Sequence, residues 1–158
     1  MLNKLSVRFR KLNFEELTSL EKEFKEFLII NHIHDEEWRS LNKEAPEKVS
    51  ALVEVFSDTV LLKVYGKISY LEFYGEDILS FFKIDKEWIN SIHIQVSKSG
   101  CELPKQIDEI LSHPEKFKVH KGKKKLVNFK EDEVHQLVLK GCFVGTEDSW
   151  HAIENLLK

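Results

Sequence analysis

Two cysteines, Cys101 and Cys142, are all that a chain of 158 residues carries. That is too few for a disulfide framework. Only 6 glycines and 3 prolines are present, which excludes a disordered or low-complexity chain. No apolar run approaches the roughly 18 residues of a membrane-spanning helix. Residues 1–11 offer neither a long apolar core nor small cleavage-like residues, so no secretory leader is expected. Neither sign of charge is in excess: 24 Lys and Arg stand against 27 Asp and Glu, a net charge of −3 that singles out no partner. A cytoplasmic protein with reduced thiols, not inserted in a membrane, is the expectation that follows.

What is present is enough apolar matter for one core. The hydrophobic fraction is 42%, with 11 Phe, 3 Tyr and 3 Trp. A single globular domain over residues 1–158 is expected.

The chain is organised around residues 46–96. Pro46 and Glu47 suit a helix start. Val49, Leu52, Val53, Phe56, Val60 and Val64 then recur at spacings of three and four. This predicts a long core helix from Pro46 to about Tyr65, stopped by Gly66. After Gly66 the period becomes two. Leu71 and Phe73 alternate with Tyr70, Glu72 and Tyr74, and 78–84 is apolar on both faces. Ile92, Ile94 and Val96 alternate with Ser91, His93 and Gln95. Short turns at Gly75–Asp77 and Asp85–Glu87 predict an antiparallel meander of three strands. A competing reading makes 76–82 a short helix.

Around this centre, residues 4–10 alternate as an added edge strand. Asn13 with Glu16 reads as a capping box opening one helix to about Ile30. Asp35 is expected to cap a short helix carrying Trp38 and Leu41. Helices are also expected over 103–111, from Asn128 or Lys130 to Gly141, and after the cap Thr146. Residues 115–127 read as a mobile lysine-rich loop, and 142–145 as a connector. The fold class is α+β: a small antiparallel sheet of about three strands, with the N-terminal edge strand as an addition, packed against amphipathic helices.

Four constellations could carry chemistry. His32 and His34 with Asp35, Glu36 and Glu37 resemble half a metal site, but they sit where a helix ends and the next is capped. Glu54 and Asp58 share a helix face, and Asp132-x-x-His135 offers a weak second half. Cys142 with His135 or His151 makes a thiol–imidazole pair that lacks an orienting third group. The fourth is the sharpest anomaly. Residues 115–130 hold seven lysines and one glutamate, +6, so the remainder totals −9. Lys118, Lys121, Lys123, Lys124 and Lys125 could dock an acidic protein surface or hold nucleic-acid phosphates. They could equally be a solvated, solubilising loop. Lys121-Gly122-Lys123 is not a phosphate loop, lacking the spaced glycine and the Ser/Thr. Tyr70 and Tyr74, beside Trp88, would make a protein-contact face if left open.

The succession Phe14-Glu15-Glu16-Leu17, Glu23-Phe24, Phe27-Leu28, Glu37-Trp38, Val55-Phe56-Ser57-Asp58 and Tyr70-Leu71-Glu72 resembles a family of short uncharacterised Bacteroidota proteins, a domain of unknown function. The likeness covers roughly residues 12–96. It implies a cytoplasmic, single-domain bacterial protein and brings no functional residue with it.

The sequence therefore predicts a non-enzymatic interaction module. Its protein partner would meet the aromatic face or the lysine stretch, and no catalytic residue, metal ligand or cofactor is assigned. The alternatives are a nucleic-acid-associated protein using 116–125 and, third, a metal-dependent enzyme using His32, His34, Glu54 and Asp58.

Overall fold

The computed structural model describes residues 7–97 and 102–157. Expectations resting on residues 4–6 and on Cys101 lie outside it. The backbone separates into two compact units, Met1–Val64 and Tyr65–Lys158.

The first unit is helical. Val7 to Arg10, expected to finish an edge strand, form none. Their backbone is held by a side chain instead: Asp58 accepts the N–H of Arg8 at 3.0 Å and of Phe9 at 3.1 Å. The Asn13–Glu16 capping box forms and opens α1 (Phe14–Ser19). The single helix expected to Ile30 is broken at Leu20, and α2 (Glu21–Ile30) follows. Thr18 and Ser19 turn their hydroxyls back onto the carbonyls of Phe14 and Glu15, a bond that bends helices. The cap of α3 (Asp35–Glu44) is His34, one residue before the expected Asp35, closing a capping box with Glu37.

Helix α4 (Pro46–Lys67) starts at the predicted proline but runs through Gly66. Val53, Phe56 and Leu61 are buried on it, whereas Val64, expected in the same stripe, is exposed. Phe56 lies 4.9 Å from Phe24 and 5.4 Å from Phe27, centroid to centroid, and Phe24 meets Trp38 edge-on at 5.5 Å. Burying a ring such as Phe56 contributes about 1.5–3 kcal/mol.

The second unit is built on the sheet. The three-strand meander forms as predicted: β1 (Tyr70–Tyr74), β2 (Leu79–Ile84) and β3 (Trp88–Val96). Asp85 shapes the β2–β3 turn by accepting the N–H of Glu87 at 2.8 Å and of Trp88 at 2.7 Å. Two strands were not foreseen. Residues 117–125, expected within a loop, form β4 (Phe117–Lys125). Two residues of the expected connector form β5 (Phe143–Val144). The sheet has five antiparallel strands in the order β4-β3-β2-β1-β5.

One sheet face presents Leu79, Phe81, Ile92 and Ile94, all essentially without exposure. Ile110 of α5 (Ile107–Ser112) and Trp150 and Ile153 of α7 (Glu147–Asn155) pack there. Helix α6 (Lys130–Leu139) buries Val134, His135 and Leu137. It ends on Gly141, whose φ of +101° permits the closing bond from Cys142 N–H to Leu137 C=O.

Candidate partner-binding strand

Lysine has little preference for strands, so β4 does not form on local propensity. It forms because β3 offers a nine-residue partner. Val96 faces Phe117, Ile94 faces Val119, and the register then carries Lys121, Lys123 and Lys125 opposite Ile92, Asn90 and Trp88. Phe117 and Val119 pack on the core and anchor the strand. Gly122 helps hold the register, since a Cβ there would stand 2.6 Å from Ser91 Oγ.

The alternation of the strand sorts the lysines. Lys121, Lys123 and Lys125 project on the face that carries Trp88 and Asn90; Lys118 and Lys124 project on the other. All five are exposed. Lys123 places its ammonium 4.5 Å above the Trp88 ring. Lys124 comes within 3.9 Å of Glu133. Lys83 of β2 joins the first set, because Tyr70, Lys83, Asn90 and Lys123 stand in one row across four strands. Beside that row a shallow hollow of about 210 Å³ is lined by Lys83, Asn90, Lys121, Trp150 and Glu154.

The tyrosines expected as an open aromatic face are instead half-buried in packing. Tyr70 lies 6.5 Å from Trp150, and Tyr74 stacks on Phe143 at 5.5 Å. Tyr74 is remote from the lysine row, at the other end of β1. Its hydroxyl is pushed up to about 12 by burial and by the neighbouring Glu72 carboxylate.

His32 adopts the left-handed backbone at φ 60°, and His34 caps α3. Asp58 is engaged by the backbone of Arg8 and Phe9. Among the described residues no three His, Cys, Asp or Glu side chains come together as a metal-binding group. His135 is buried, its Nδ1 3.1 Å from Tyr65 Oη. Cys142 is buried too, and burial pushes its thiol up, away from the reactive thiolate. His151 lies between Glu147 and Glu154, at 3.3 and 3.5 Å.

One arrangement escaped the sequence. Ser80 Oγ lies 2.7 Å from His93 Nδ1, and His120 continues the row on β4. Burial, then the nearby His120, holds the His93 imidazole below its ordinary value. A nucleophilic serine needs its histidine oriented by an acid, and the next neighbour along this row is a second base. Alternation put His93 on the wet side of β3, but the match with Ser80 depends on the strand register.

A family model for a family of unknown function, DUF6495, matches residues 7–158. The chain belongs to that family. The match extends past residue 96, where the resemblance seen in the sequence fades, and takes in β4. No curated protein and no solved structure matches the chain.

Proposed function

We propose that this DUF6495 protein is a non-enzymatic interaction module of the bacterial cytoplasm that docks an acidic protein segment on β4. The observation that carries the reading is the sorting of Lys121, Lys123 and Lys125 onto one side of an exposed strand at the sheet edge, with Lys83 in the adjoining row. Lysines along an edge also deter unwanted strand pairing. That role needs only scattered charge, whereas here the cations line up at every second position over five residues. Cytoplasmic residence follows the resemblance to bacterial proteins noted above.

The second reading, nucleic-acid binding, is favoured by Trp88 beneath Lys123, an aromatic interleaved with cations. Against it, that ring is half-buried with an ammonium over its face, leaving little surface for a base to stack.

The test is fluorescence anisotropy with an acidic peptide and, separately, a single-stranded RNA, using wild type and Lys121→Glu/Lys123→Glu/Lys125→Glu. The proposal expects peptide binding that is lost in the triple variant. RNA bound in preference to peptide would move the assignment to the second reading. Failure of both probes would remove β4 as the docking strand.

A further inference from the structure

The free side of β4 has a definite hydrogen-bonding phase. Just past one end of the β3–β4 ladder, Leu126 N–H donates to Glu87 C=O at 2.7 Å. Just past the other, Ser97 N–H donates to Lys116 C=O at 2.9 Å. Both bonds continue the register that pairs Lys125 with Trp88 and Phe117 with Val96. In an antiparallel ladder, directly opposed pairs alternate between bonded and non-bonded. The even-numbered residues of β4 therefore exchange bonds with β3. The odd-numbered ones, Phe117, Val119, Lys121, Lys123 and Lys125, aim their N–H and C=O groups outward.

Those outward groups belong to the same residues whose side chains form the lysine row. β4 is the last strand on its side of the sheet, and among the described residues no strand pairs beyond it. A second copy of β4 would set lysine against lysine, which disfavours self-pairing. A strand with acidic side chains opposite Lys121, Lys123 and Lys125 would satisfy backbone and charge together.

We propose that the acidic partner binds by strand addition: an extended segment, acidic at every second position, becomes a sixth strand antiparallel to β4. Its acidic residues stand opposite Lys121, Lys123 and Lys125 and carry the backbone bonds. Two apolar residues continue the alternation opposite Val119 and Phe117. The segment reads acidic-x-acidic-x-acidic-x-apolar-x-apolar. A slip of one residue would turn the acidic side chains to the opposite sheet face, so the pattern itself selects the register.

The inference rests on the docking role proposed for β4, and backbone N-methylation separates the two. A labelled nine-residue peptide of that pattern, matching the length of β4, is titrated against the full chain by anisotropy. Two modified peptides follow, one N-methylated at the three acidic residues and one at the three intervening residues. The expected result is a loss of about tenfold or more for the first and little change for the second. If the parent peptide binds and both modified peptides bind equally well, docking is electrostatic only and strand addition is wrong. If only the second loses affinity, the phase assigned to β4 is wrong. If the parent does not bind at all, the docking reading fails with it. Lys121→Gln/Lys123→Gln/Lys125→Gln, checked for folding by circular dichroism, is expected to weaken the parent peptide while keeping the contrast, because the backbone groups of β4 are unchanged.

Discussion

The side chain of Glu72 lies against Gly145: a Cβ on that glycine would stand 2.7 Å from Glu72 Cγ. The contact ties β1 to the start of α7. Gly145 N–H donates to Tyr70 C=O at 2.9 Å, and the next residue, Thr146, caps α7 through Ser149 N–H. Glu72 itself is buried, accepts from Ser149, Tyr74 and the Thr146 N–H, and has its carboxyl raised because burial outweighs those bonds.

Gly145→Ala is therefore expected to destabilise the protein by about 1–3 kcal/mol, because Glu72 must shift within a packed site. Urea unfolding monitored by circular dichroism would show it as a lower midpoint. A midpoint equal to wild type would mean that Glu72 has room to move.

The Glu72 charge has a pH signature. Its carboxyl is raised in the fold from 4.5, so the folded state holds the proton more firmly than the unfolded chain. The burial penalty is absent below 4.5 and grows as pH rises through the folded value. Glu72→Gln should thus gain stability relative to wild type as the pH rises above 4.5. A difference independent of pH would show that the carboxylate suffers no net desolvation.

His93 gives the opposite trend. Its imidazole is held below 6.5, so the unfolded chain takes up the proton first as the solution is acidified. Stability is complete above 6.5 and falls as pH drops through 6.5 toward the folded value. His93→Gln should flatten this part of the stability profile measured by urea unfolding. A His93→Gln profile with the same slope as wild type below pH 6.5 would show that His93 stays accessible to protons.

In the helical unit the sensitive polar residue is Ser57. It is fully buried, accepts the Leu12 N–H at 3.0 Å and donates to Val53 C=O at 2.6 Å. Ser57→Ala leaves the Leu12 N–H buried without its acceptor, at a cost of about 1–3 kcal/mol. Thermal unfolding reads the loss. The counterpart Thr18→Ala removes an exposed hydroxyl bonded only to its own helix, and is expected to change stability by less than about 0.5 kcal/mol.

Lys123 above Trp88 supplies an optical readout. Lys123→Ala should alter Trp88 emission and cost about 0.5–1 kcal/mol, the range of an exposed cation–π pair. Emission unchanged from wild type would show that the ammonium does not rest on the ring in solution.

Much of the architecture was legible one element at a time. The Asn13–Glu16 capping box, the Pro46 helix start, the Thr146 cap and the 70–96 meander all rest on neighbours within a few residues. The signals that misled were local ones overridden from outside. Gly66 reads as a stop, yet α4 continues to Lys67, and the Lys130 ammonium bonds the Gly66 carbonyl at 3.1 Å. A run of lysines reads as a solvated loop, yet nine paired positions on β3 recruit it as a strand.

By itself the sequence determined the α+β class, the Asn13 and Thr146 caps, the Pro46 helix start, the meander, and the +6 charge concentrated in residues 115–130. Those properties depend on short-range periodicity and on composition. Only the tertiary structure decided that the charge lies on an edge strand, that Lys121, Lys123 and Lys125 share a face with Trp88, and that Ser80 meets His93. Cross-strand partners are set by register and sheet order. Both are settled by which apolar faces can be buried together, and no local stretch of the chain carries that information.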